Sequence, residues 1–280
     1  MMQTGQPSLT ALGAARLRAA HQVLDHASIL TDPLAIRMLG EDIVVSLDHA
    51  QAHPAGPRLR WFIAARSRVA EDALNVAVNT GTTQLVVLGA GLDTLAYRTP
   101  LACHLRMFEV DHPATQQRKR QMLADAAIDV PDTLRFVSVD FERETLAEAL
   151  RSAGFNGAER SFFSWLGVVP YLTEPAIFST LGLIAQLEGG ADVVFDYVNP
   201  AASVAPAARA AHQALADRVA ALGERFQSYF GTSALCARMK EMGFRRVEDI
   251  GPSEIAARFF PRTEQTAPTR GGHLMHASTN

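Results

Sequence analysis

Gln84-Leu-Val-Val-Leu-Gly-Ala-Gly-Leu-Asp-Thr-Leu-Ala-Tyr97 is an apolar run that breaks at a Gly-Ala-Gly turn and then restarts with helical spacing. Residues 84–88 read as a strand buried on both faces, because consecutive leucines and valines leave no polar face for water, as in a parallel sheet. Gly89, Ala90 and Gly91 follow at once. A strand that turns tightly into a helix needs φ > 0, and a Cβ at such a turn would hold a ligand away from the backbone N–H groups. The stretch predicts a nucleotide-type pocket at the end of the strand, although plain turn chemistry uses the same glycines.

A dinucleotide fingerprint places a third small residue three positions after the second glycine, so that the helix can close up on a pyrophosphate; this chain has Thr94 there. Asp93, in the first turn, would repel a pyrophosphate but suits a ligand carrying an ammonium or sulfonium cation. It reads equally well as a helix-start residue favoured by the macrodipole. An acid about twenty positions on is the usual partner of ribose hydroxyls. The second short strand, Arg106-Met-Phe-Glu-Val-Asp111, supplies Asp111 with Glu109 as the alternative.

The 280 residues, 48% of them hydrophobic, suffice for one large domain or for one domain with a cap. A net charge of −3 gives no basic field for nucleic acid or an anionic membrane, and points to a small-molecule partner. Cys103 and Cys236 are the only cysteines, with no CxxC and no His/Cys cluster, so ordinary thiols in a reducing compartment and no metal site are expected. Residues 1–10 lack the pattern of a secretory signal and no apolar run is long enough to span a bilayer, so a cytoplasmic protein is expected. The sequence leaves monomer and homodimer equally open.

Residues 9–27 have helical spacing, Thr31-Asp32-Pro33 starts a short helix, and 49–57 reads as a loop. A long helix over 58–79 carries Arg60, Arg66 and Arg68, arginines of a kind that is usually solvated. After the glycine turn, strands are expected at 105–110, 134–139, 161–166 and 191–197. Helices over 114–127, 142–153 and 174–188 separate them. The first of these carries Arg118-Lys119-Arg120, which reads as a solvated face. Thr173 with Pro175 should cap the third. Such alternation predicts an α/β, doubly wound, mostly parallel sheet with ligands at the carboxyl ends of its strands. An alanine-rich helical stretch at 200–222 and an aromatic segment at 226–231 follow. A helix capped by Thr232 or Ser233 then runs to Gly243, with final strands at 245–250 and 273–278. The expected organisation is a helical cap over 1–80 and a ligand-binding α/β domain over 81–280, with a lid insertion at 198–232.

With these elements placed, the chain resembles the class I S-adenosylmethionine-dependent methyltransferases, and within them the bacterial relatives of the leucine carboxyl methyltransferases. The resemblance spans residues 10 to about 250. It rests on Leu30-Thr-Asp-Pro-Leu-Ala35, Ala65-Arg-Ser-Arg68, Leu88-Gly-Ala-Gly-Leu-Asp-Thr94, Phe108-Glu-Val-Asp-His-Pro113, Val139-Asp140 and Trp165-Leu-Gly-Val-Val-Pro-Tyr-Leu172. It implies a Rossmann-like sheet of seven strands with an antiparallel C-terminal strand. S-adenosyl-L-methionine is then the cofactor and S-adenosyl-L-homocysteine its product.

Position by position, the resemblance implies that Arg66 pairs with the methionine carboxylate and that Gly89, Ala90, Gly91 and Asp93 surround the methionine and ribose portion. Asp111, or less readily Glu109, would accept the ribose hydroxyls. Asp140, otherwise readable as a helix cap, would accept from the adenine amino group, and the backbone N–H of Phe141 would meet a ring nitrogen. The eukaryotic members carry a glutamate five residues before the tyrosine of the strand-four motif. Leu166 stands there in this chain, at the cofactor's edge, so a protein C-terminal leucine carboxylate is not the implied substrate.

The expected reaction is transfer of the methyl group to a carboxylate or hydroxyl oxygen of a small molecule. Tyr171 is the retained candidate for a catalytic role, while Tyr197, Asn199, Phe226 and Tyr229 join it as candidate substrate contacts. A hydroxyl acceptor would need a general base, for which His273, His276 and Asp196 are available. Two other readings stay open: an NAD(P)-dependent oxidoreductase, which Asp93 and Thr94 disfavour, and a cofactor-binding protein without transfer activity. No Gly-x-Ser-x-Gly elbow points to a hydrolase.

Overall fold

The fold is described by a computed structural model that covers residues 8–40, 47–48, 57–139, 145–203, 209–210, 213–214, 216–217, 220, 225–262 and 271–280. Its centre is a seven-stranded sheet: β1 (Gln84–Leu88), β2 (Arg106–Asp111), β3 (Leu134–Ser138), β4 (Ser161–Trp165), β5 (Ala191–Tyr197), β6 (Arg246–Ile250) and β7 (His273–Ser278). The strands lie in the order β3-β2-β1-β4-β5-β7-β6, all parallel except β7, which runs antiparallel to both of its neighbours. The order reverses at β1, so the ligand crevice of such a sheet opens at the turn after this strand. The expected doubly wound, mostly parallel sheet is therefore observed, with strand limits within one residue of the sequence reading.

Helices cover both faces: α1 (Leu9–Leu24), α2 (Pro33–Leu39), α3 (Pro57–Asn79), α4 (Leu95–Arg98), α5 (Pro113–Asp125), α6 (Leu146–Ser152), α7 (Glu174–Ala185), α8 (Thr232–Glu241) and α9 (Pro252–Phe259). All five residues of β1 are buried. Leu85, Val87, Met107, Val194 and Leu274 pack under α3 and α9, while Val86, Phe108, Phe163, Val193 and Phe195 pack against α6, α7 and α8. No exposed stripe remains on β1 or β5: β1 reads as an apolar run, and β5 buries even Asp192 and Asp196. Among the described residues no helix is long and apolar enough to cross a membrane.

Local signals set several helix starts. Asp32 accepts from Ala35 N–H at 3.0 Å with Pro33 in the first turn of α2, and Ser8 accepts from Ala11 N–H at 3.0 Å at the start of α1. Others depart from expectation. Thr173 flanks α7 without a side-chain cap, and α8 is capped at Gly231 because the Thr232 hydroxyl is engaged by Tyr197 at 2.9 Å. The helix after the glycine turn is only four residues long, and α9, absent from the sequence reading, buries just Ile255 and Ala256.

Two buried carboxylates fasten the N-terminal helices. Asp32, fully buried, accepts from Arg18 Nε at 2.7 Å and Thr94 Oγ1 at 2.6 Å, with Arg98 Nε at 3.4 Å. Arg98 in turn reaches Glu71 on α3, and Arg18 also donates to the Leu92 carbonyl. Thr94, the residue that broke the dinucleotide pattern, is thus the anchor by which α1 and α2 grip the glycine turn. Asp25 accepts from Arg60 Nε at 2.6 Å, Arg60 Nη2 at 2.7 Å, Trp61 Nε1 at 2.9 Å and His21 Nδ1 at 2.9 Å. Arg60, read from sequence as solvated, is therefore buried, whereas Arg68 lies exposed beside Asp72.

Removing one partner of a buried ion pair strands the other. Asp32→Ala should lower unfolding free energy by about 3–5 kcal/mol in urea titration, because Arg18 and Thr94 lose their acceptor. Burial alone would raise the Asp25 carboxyl, but hydrogen bonds from Arg60, His21 and Trp61 outweigh it and hold the group well below the ordinary carboxylate range. A depressed folded value means that this stabilisation is complete above about pH 4 and is lost as pH falls below it. The urea midpoint of the wild type should therefore drop more steeply on acidification below about pH 4 than that of Asp25→Asn.

Candidate functional site

The carboxyl edge of the sheet brings together the turn after β1, the last residue of β2, the turn after β4 and the ends of β5, β6 and β7. Gly89 has φ +63° and Gly91 φ +47°, so both need the left-handed region. The space a Cβ would take is filled by the protein itself: at Gly89 it would lie 2.3 Å from Val168 Cγ2, and at Gly91 3.1 Å from Ala11 Cβ on α1. The N–H groups of the turn face β2, Ala90 donating to the Val110 carbonyl at 3.1 Å and Gly91 to Asp111 Oδ2 at 2.5 Å. The glycines thus shape the turn for close packing and for Asp111, and these two N–H groups are not left open for an anionic ligand.

Asp111 and Glu109 point to the same side of β2 but into different surroundings. Asp111, half-buried at the strand's end, accepts from Gly91 N–H and, through Oδ1, from His112 N–H at 2.7 Å. Burial pushes its carboxyl above the ordinary range against the pull of these two N–H groups. Each oxygen keeps acceptor capacity beyond these bonds. Glu109, at 1% exposure, accepts from Lys119 Nζ at 2.7 Å and Tyr97 OH at 2.9 Å, inside the fold. Lys119 is equally buried and sits 5.1 Å from the Tyr97 ring centroid, so the solvated face read at 118–120 holds for Arg118 and Arg120 only.

The Asp93 carboxylate accepts from Leu95 N–H at 2.7 Å, a helix-start contact. Burial would raise it, but the cations of Arg18, Lys119 and Arg98 outweigh burial and hold it low. Arg66 on α3 donates to Asp196 Oδ2 at 3.0 Å, and its guanidinium packs against Gly167 after β4, whose N–H donates to the other Asp196 oxygen. Asp196 is thereby an ion-pair partner of Arg66. Leu166, half-buried, packs against the core under α3. Asp140 and Phe141 lie outside the described residues.

The candidate acceptor contacts fall into two groups. Tyr171 and Phe226 have ring centroids 5.3 Å apart, and Phe226 and Tyr229 6.3 Å. Gln227 N–H donates to the Pro170 carbonyl at 2.7 Å and Phe230 N–H to the Val198 carbonyl at 3.0 Å, so this segment runs along the edge from the β4 exit to the β5 exit. Tyr197 and Asn199 join a second group with His273, Thr232 and Asp249, a residue that sequence reasoning did not single out. The only signal for it was an acid inside the short strand Arg246-Val-Glu-Asp-Ile250. His276 lies elsewhere, its Nε2 3.4 Å from Asp192 near the start of β5.

Comparison with known proteins identifies the family. Residues 11–185 fit the model of the leucine carboxyl methyltransferase family. The chain is 30% identical to YktD of Bacillus subtilis (strain 168), named a candidate S-adenosyl-L-methionine-dependent methyltransferase, over 99% of each protein. It is 32% identical to a Mycobacterium avium (strain 104) protein of the same designation over 74% of each. Among solved structures, one described as a possible exported protein from Bordetella parapertussis superposes with a TM-score of 0.52 at 12% identity over 99% of both chains, a likeness of fold. The protein belongs to the leucine carboxyl methyltransferase family and is an S-adenosylmethionine-dependent methyltransferase.

Proposed function

We propose that the enzyme methylates a carboxylate or hydroxyl oxygen of a small molecule, with the cofactor seated across the turn after β1 and the end of β2. The observation that carries this reading is the Asp111 carboxylate, fixed by Gly91 and His112 N–H at 2.5 and 2.7 Å where the strand order reverses. A carboxylate with unused lone pairs suits a pair of ribose hydroxyls. The turn that holds it has given the Ala90 and Gly91 N–H groups to β2, away from the pyrophosphate that a dinucleotide would present. These residues fit S-adenosylmethionine better than NAD(P), and so favour a methyltransferase over an NAD(P)-dependent oxidoreductase.

Arg66 sits between the β4 and β5 exits and has five donors, of which Asp196 engages a part, so it can share its guanidinium with the methionine carboxylate. Asp140 and Phe141 are assigned the adenine by family resemblance. The sulfonium supplies an already activated methyl group, so the chain's own work is to position the acceptor oxygen and keep water out. Tyr171, Phe226 and Tyr229 form an aromatic wall for the acceptor at the edge. Helices α1 to α3 act as the cap within residues 1–80, with Ala11 pressed onto Gly91; the lid expected at 198–232 lies in part outside the described residues.

Arg66→Ala and Asp111→Ala should each weaken S-adenosylhomocysteine binding by about 1–3 kcal/mol in titration calorimetry. NAD should give no heat with the wild type. Unchanged affinity in both variants would contradict the site.

A further inference from the structure

Three described histidines stand beside aspartates, and only one of the pairs is built like a proton acceptor. His21 has Nδ1 2.9 Å from Asp25, but it is fully buried and its Nε2 accepts from the Ile29 and Leu30 N–H groups at 3.2 and 3.3 Å, so the ring is sealed by backbone. His276 faces Asp192 away from the ligand edge. His273 is the first residue of β7 and lies in register with Tyr197, the last of β5, which puts it on the carboxyl edge where ligands bind.

At that edge His273 Nδ1 lies 3.0 and 3.1 Å from the two oxygens of Asp249, which Tyr197 OH also approaches at 2.7 Å, with the Thr232 hydroxyl 2.9 Å from Tyr197 OH. Nδ1 therefore carries the proton, and the lone pair stands on Nε2. Among the described residues, Nε2 meets no backbone group. It is held by the Asn199 side-chain amide at 2.6 Å, on the residue two past the end of β5, and the imidazole is 12% exposed. A side-chain amide can swing aside for a ligand, whereas the two N–H groups on His21 cannot.

We propose that His273, oriented by Asp249, is the general base of methyl transfer and that the acceptor is therefore a hydroxyl group, which displaces Asn199 from Nε2. This assignment rests on the oxygen-methyltransferase reading above. The acceptor O–H gives its proton to Nε2 as the oxygen forms its bond to the methyl carbon. The carbon–sulfur bond breaks with its electron pair going to sulfur, leaving a methyl ether, a neutral thioether and an imidazolium that Asp249 stabilises until the proton passes to water. Asp249 is a positioning residue; a carboxylate acceptor, already ionised, would have no use for the pair.

The test incubates the full chain with S-adenosylmethionine bearing a deuterated methyl group and a small-molecule extract of the cells that express it, and follows labelled products by mass spectrometry. The expected product carries an alkali-stable methyl ether. His273→Gln should then lower kcat about a hundredfold or more while KM and S-adenosylhomocysteine affinity by calorimetry stay within about twofold. Asp249→Asn, which keeps an acceptor for Tyr197, should lower kcat by a smaller factor with the same split. A label found in an alkali-labile methyl ester, or turnover unchanged in both variants, overturns the assignment. Absence of S-adenosylhomocysteine binding by the wild type would instead defeat the reading on which it rests.

Discussion

The turn after β1 is clamped between two carboxylates that come from opposite sides. From the sheet, Asp111 takes the Gly91 N–H at 2.5 Å; from the N-terminal helices, Asp32 takes the Thr94 hydroxyl at 2.6 Å while Arg18 holds the Leu92 carbonyl. Between these grips the chain has little freedom, and its two positive φ values are tolerated because Gly89 and Gly91 have no Cβ to strain. Every other feature of the crevice is placed relative to that turn. Val168 from the β4 exit packs onto Gly89, Ala11 from α1 packs onto Gly91, and the buried Glu109–Lys119 pair stiffens β2 beneath it. A turn held this way is ordered in advance, so a ligand bound there would not have to supply the free energy of ordering it.

The centre of the sheet was legible because β1, β4 and β5 are buried on both faces, which makes them short, mainly apolar runs bounded by turn residues. Asp111 and the glycine turn were legible for the same reason: they mark where such runs stop. The polar interior was not. Thr94 was visible as a departure from the dinucleotide pattern, but its partner Asp32 lies 62 positions earlier, and no local spacing links them. Lys119 sits in a charged triplet that resembles a solvated face, and only the tertiary packing of α5 on β2 turns it onto Glu109. Arg60 was misread likewise, since its partner Asp25 lies at the end of a different helix, α1. Long charged side chains can be buried when paired, and the pairing is a property of the fold.

The edge of the sheet divides the chemistry by position. Toward β1 and β2 the acids are either fixed by backbone N–H groups, as Asp111 is, or neutralised by buried cations, as Glu109 and Asp93 are. Toward β5, β6 and β7 Asp196 is paired with Arg66, whereas the acid Asp249 is joined to an imidazole. In the functions proposed above, the first half holds a polar ligand without changing protonation and the second moves a proton. Leu166 stands at the boundary and packs against the core under α3.

A crystal structure of the protein with S-adenosylhomocysteine is the most direct test of the central claim. The account predicts density across the β1 turn, with the ribose hydroxyls on Asp111 and the amino-acid carboxylate at Arg66. Ribose density away from Asp111, or no ligand density at the β1 turn at saturating ligand, would contradict it.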